Sequence, residues 1–96
     1  MNAEQKELFR LVLLRVLDTN RTRFGLGVVA LGHHLAPFAF NPGNCGGQET
    51  FHAAIADALD YFTTKQMVEE AGKQISAENR AWRITATGIA FLDERS

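Results

Sequence analysis

The chain has 96 residues, of which 46% are hydrophobic and 22% charged. That is the size of one small domain and the make-up of a folded chain rather than a disordered one. A formal net charge of -1 and one cysteine, Cys45, exclude a strongly basic nucleic-acid binder and any internal disulfide. The N-terminal stretch is mixed in charge and lacks the basic lead-in of a signal peptide. The apolar runs fall short of the roughly 20 residues that a bilayer demands. A cytoplasmic protein in a reducing compartment, without a membrane segment, is therefore expected.

Residues 3–18 read as the first helix. Leu8, Leu11, Val12, Leu14, Val16 and Leu17 recur too densely for one stripe, and only Arg10 and Arg15 interrupt them. A helix this widely apolar is buried on more than one side. It either lies across the core or also meets a second copy of the chain. Asp18-Thr19-Asn20 ends it, and residues 21–24 form a short strand or a loop. A second helix is expected over 25–35, weakened by Gly25, Gly27 and Gly32 at roughly 1 kcal/mol each relative to alanine. Residues 36–47 hold both prolines and read as an unusually long loop. In it, Phe38 and Phe40 either tuck onto the body or mark a contact surface.

The third helix is expected over 50–63, with Gln48 as its earliest start. Phe51, Ile55, Ala58, Leu59 and Phe62 fall on one face at about 100° per residue. A hairpin follows over 66–85, with Met67-Val68 and Trp82-Arg83-Ile84-Thr85 as its two short strands. The closing helix spans 86–94, capped by Thr85, with Ile89 and Leu92 inward. Phe51, Ile55, Leu59, Phe62, Val68, Ile84 and Leu92 should share one core. The predicted class is mainly α with a small β-hairpin.

Leu59, Phe62, Met67-Val68, Trp82-Arg83-Ile84-Thr85 and Gly88 resemble, in order and spacing, the back half of a winged helix-turn-helix domain. Phe24-Gly25-Leu26-Gly27-Val28-Val29 is similar to the start of the second helix in PadR-like repressors. Ala56 stands where that family tends to carry an aromatic residue, and Gln66 where the turn into the wing usually has glycine. The resemblance implies a winged-helix fold, a transcriptional regulator and contact with double-stranded DNA.

The charge distribution complicates that implication. Residues 1–47 carry five bases and three acids, residues 48–64 three acids and no base, and residues 65–96 five of each. The outward face of the third helix is thus Glu49, Ala53, Ala56, Asp57, Asp60 and Thr64. Carboxylates there repel phosphates and cannot make the arginine–guanine pairing. The face reads as solvated, as docking another protein, or as reading bases. Arg21, Arg23, His52, Lys73, Arg80 and Arg83 are the candidate DNA contacts. They compete with plain loop solubility for Arg21 and Arg23, and with an ordinary mixed-charge hairpin for the last three. A winged-helix module that contacts protein instead of DNA is the alternative function. A homodimer is expected, with Leu8, Leu11, Val12, Phe38, Phe40 and Phe91 as candidate interface residues.

His33 and His34 point about 100° apart on a helix and cannot share one ion. Neither they nor His52 and Cys45 have zinc-site spacing. Cys45 has no adjacent base to activate it. No nucleophile elbow, phosphate loop or HExxH is present, so neither catalysis nor a cofactor is expected.

Overall fold

The computed structural model describes residues 2–21, 25–71 and 80–95. In chain order its elements are α1 (Ala3–Thr19), α2 (Val28–Leu35), a 3-10 turn (Ala36–Phe38), α3 (Gln48–Thr64), β1 (Val68–Glu70), β2 (Trp82–Ile84) and α4 (Ala86–Glu94). The chain is mostly helical, with β1 and β2 forming an antiparallel pair in the register Val68 to Ile84, Glu69 to Arg83 and Glu70 to Trp82. No helix among the described residues is long and apolar enough to cross a membrane.

α1 starts on a reciprocal cap. The Gln5 N–H donates to Asn2 Oδ1 at 2.8 Å, and the Asn2 N–H donates to Gln5 Oε1 at 3.1 Å. Two donors that a helix start leaves without intrahelical partners are satisfied in this way. The dense apolar pattern places Phe9, Val12, Leu13, Leu14, Val16 and Leu17 in the core, so α1 lies across it and contacts every other helix and β2.

α2 begins at Val28, later than the expected start at residue 25. Gly25 adopts φ +73°, and a Cβ on it would lie 2.6 Å from the Trp82 carbonyl oxygen. That close approach requires glycine. Leu26 then runs extended and exchanges backbone hydrogen bonds with Trp82, at 2.8 Å and 2.9 Å. The residues expected to open a helix instead add a one-residue bridge to the free side of β2. Backbone pairing with a distant strand outcompetes local helical spacing here.

The loop after α2 is tied down. Asn44 donates its backbone N–H to Asn41 Oδ1 and its side-chain amide to the Ala39 carbonyl. Phe40 turns inward, 5.1 Å from Phe9 and nearly perpendicular to it, while Phe38 stays 55% exposed. Cys45, within this loop, is buried.

α3 buries Phe51, Ile55, Ala58, Leu59 and Phe62. They meet Val68, Ile84 and Leu92, all buried, in one cluster that includes Leu31 and Leu35 of α2. The turn from α3 into β1 places Gln66 at φ +61°, the left-handed region that favours glycine. Thr85 closes the hairpin. Its N–H donates to the Met67 carbonyl at 2.9 Å, and its hydroxyl donates to the Gln66 carbonyl at 2.6 Å while accepting the Gly88 N–H at 3.2 Å. Gly88 lies against this turn, where a Cβ would clash with the Met67 oxygen and stand 2.7 Å from Ile84 Cγ1.

Candidate interaction surfaces

Two surfaces carry the side chains that the sequence singles out. The first combines α3 with the hairpin. The apolar face of α3 is turned to the core, so Glu49, Ala53, Ala56, Asp57, Asp60 and Thr64 are all exposed. Lys6 of α1 approaches Asp57 at 3.9 Å, a marginal exposed contact. His52 is half-buried, its ring centroid 6.1 Å from that of Phe51. It flanks the acidic face and does not extend from it.

The hairpin arginines are already engaged. β2 alternates, with Trp82 and Ile84 buried and Arg83 exposed, as strand geometry requires. Arg83 stands directly opposite Glu69, and its Nε donates to Glu69 Oε1 at 2.7 Å. Arg80 pairs with Glu70, and its guanidinium lies 4.9 Å from the Trp82 ring centroid. At the end of α1, the Arg21 Nε donates to Asp18 Oδ1 at 2.8 Å. Each candidate DNA-contacting arginine that the structure describes is therefore partnered by a carboxylate. Arg23 and Lys73 lie outside the described residues. Over described residues 48–71 and 80–85, the acids are Glu49, Asp57, Asp60, Glu69 and Glu70 and the bases Lys65, Arg80 and Arg83, a net charge of -2.

The second surface is a groove of about 330 Å³ between α1, the end of α3 and α4. Leu8, Leu11 and Phe91, expected at a contact between copies, come together in it with Tyr61. Leu8 is 52% exposed and Tyr61 39%. The Arg10 guanidinium sits 4.0 Å above the Tyr61 ring, and that of Arg95 lies 4.4 Å from Phe91, both within cation–π range. Glu4 and Glu7 complete the rim.

The other three expected interface residues do not belong to this groove. Val12 and Phe40 are each only 9% exposed. Their apolar area is consumed by the core of a single chain and is not available to a partner, which corrects the expectation for both. Phe38 is exposed, but it lies on the 3-10 turn after α2. Tyr61 and Arg10 were not legible as groove residues. The first reads as the polar edge of an amphipathic helix, the second as an interruption of an apolar one. Their stacking is set only when α1 and α3 pack.

Among the described residues, no three His, Cys, Asp or Glu side chains stand close enough to hold a metal ion. His33 and His34 are both exposed. Compared with protein-family models, curated proteins and solved structures, the chain matches none.

Proposed function

We propose that this chain is a winged-helix interaction module that docks a basic protein surface through the acidic outer face of α3. The order α1, Leu26 bridge, α2, α3, β1, β2, α4 supports the winged-helix class. In that topology a single extended residue before the second helix joins the hairpin, and α3 occupies the position of a recognition helix. The observation that carries the protein-docking function is electrostatic. The exposed face of α3 bears Glu49, Asp57 and Asp60 with no base of its own, Lys6 of α1 approaching Asp57 only at 3.9 Å, and the hairpin arginines Arg83 and Arg80 are matched by Glu69 and Glu70. A duplex brought to this face meets carboxylates where phosphates require cations. A basic protein surface meets complementary charge, which speeds encounter and discriminates against wrong partners. The role is binding, with no catalytic chemistry, and the compartment is the cytoplasm.

A second reading, a DNA-binding transcriptional regulator, rests on one observation. The Arg83–Glu69 and Arg80–Glu70 pairs are partly exposed, and surface pairs of this kind are weak enough for phosphate to displace the carboxylate. Titrating labelled protein with a lysine- and arginine-rich peptide, and separately with random duplex, distinguishes the two by backbone amide shifts. Protein docking predicts shifts along residues 48–64 with the peptide and none with duplex. The regulator reading predicts shifts at Arg80 and Arg83 with duplex.

A further inference from the structure

We infer that α1 is the self-association surface of this protein, pairing antiparallel with α1 of a second copy about a two-fold axis between Leu8 and Leu11. Glu4, Leu8, Leu11 and Arg15 stand at i, i+4, i+7 and i+11, within an arc of about 60° on a helix advancing 100° per residue. Along this stripe Glu4, Leu8 and Arg15 are exposed, and Leu11 is half-buried, packed against the edge of the core with part of its surface still open. It runs acid, leucine, leucine, base. In an antiparallel pair related by a two-fold axis, the numbers of facing residues sum to a constant. The axis that sets Leu8 against Leu11 of the partner subunit also sets Glu4 against Arg15 of the partner subunit. The stripe is therefore complementary to itself in shape and in charge, as a two-fold interface requires.

Two further observations point to the same place. Among the described residues, the exposed large apolar side chains are Leu8, Val29, Phe38 and Tyr61, and Leu8 and Tyr61 border one groove with Phe91. A helix laid along the stripe covers that groove. Neither Glu4 nor Arg15 has an ion-pair partner among the described residues, so both charges are available to a second copy. This association is centred on α1 and meets α3 only at its C-terminal end, through Tyr61, and it does not rest on the proposed docking of Glu49, Asp57 and Asp60.

The test is sedimentation velocity on the full chain and four variants, with circular dichroism and thermal unfolding of dilute protein to establish that each variant folds. The wild type should sediment as a dimer at micromolar concentration. Leu8→Gln, a polar change at an exposed helical position, should sediment as a folded monomer. Glu4→Arg and Arg15→Glu should each weaken the dimer by about tenfold or more, since each places two like-charge pairs in the interface. The double variant Glu4→Arg/Arg15→Glu should recover an affinity within about threefold of wild type. A wild type that stays monomeric up to about 100 μM overturns the proposal. So does a dimer that Leu8→Gln leaves intact, or a double variant no tighter than the single reversals.

Discussion

Gly88→Ala should destabilise the fold, although it replaces glycine by the best helix former inside a helix. The propensity gain is at most about 1 kcal/mol. Against it stands geometry. The new methyl would overlap the Met67 carbonyl oxygen and approach Ile84 Cγ1 to 2.7 Å. The first obstacle is backbone and cannot rotate away, so α4 must move off the hairpin. Overpacking of this kind costs about 1–3 kcal/mol. The movement also strains the bonds that Thr85 makes to Met67 and Gln66, each contributing about 1 kcal/mol. The net expectation is a loss of about 2 kcal/mol, read as a lower urea midpoint and a fall in Tm of roughly 10 °C. Gly32→Ala supplies the contrast. There a Cβ would meet the edge of the buried Phe51 ring at 3.2 Å, a side chain and not backbone, so the helix-propensity gain of up to about 1 kcal/mol offsets much of the repacking and the variant should lose clearly less than Gly88→Ala. A Gly88→Ala protein as stable as wild type would refute the packing of α4 against the hairpin turn.

Leu59 is fully buried, and Leu59→Ala should cost about 2–5 kcal/mol by urea unfolding; a loss below about 0.5 kcal/mol is incompatible with this core. Gln66→Gly should leave stability unchanged or raise it by up to about 1 kcal/mol, because relief at φ +61° exceeds or balances the added freedom of the unfolded chain. Thermal unfolding reads it, and a clear drop in Tm would argue against the left-handed turn. Asn2→Ala removes the side-chain acceptor of the α1 cap and should cost about 1 kcal/mol, visible as faster amide exchange in the first turn of α1.

What the sequence made legible follows from which forces are local. α3 could be read because its five apolar positions repeat with one period, and those five are its buried residues. Its acidic outer face follows by subtraction. The alternation of Trp82, Arg83 and Ile84 likewise reports which side of β2 faces the core. The start of α2 could not be read, because it is decided by hydrogen bonds between Leu26 and Trp82, residues far apart in the chain. Phe38 and Phe40 were indistinguishable in the sequence. Only the turn at Ala39, with φ +67°, sends one outward and the other onto Phe9. Arg80 and Arg83 read as cations available to phosphate. The strand register that sets them beside Glu70 and Glu69 is a tertiary fact, and it changes what the hairpin can bind. Val12 looked like an interface residue because α1 is apolar on many sides. The core takes most of those sides and leaves Leu8 exposed and Leu11 half-buried.

The most direct measurement of the account is the affinity for random duplex DNA, by fluorescence anisotropy across a series of salt concentrations, for wild type and for the Asp57→Asn/Asp60→Asn variant. An acidic, protein-docking α3 predicts wild-type binding no tighter than about 100 μM near physiological salt. It also predicts a measurable tightening in the variant, since two repelling charges are removed with little change in shape. A wild type that binds a preferred sequence below about 0.1 μM, and that loses this preference when Asp57 and Asp60 become asparagine, would contradict it and make those carboxylates readers of bases.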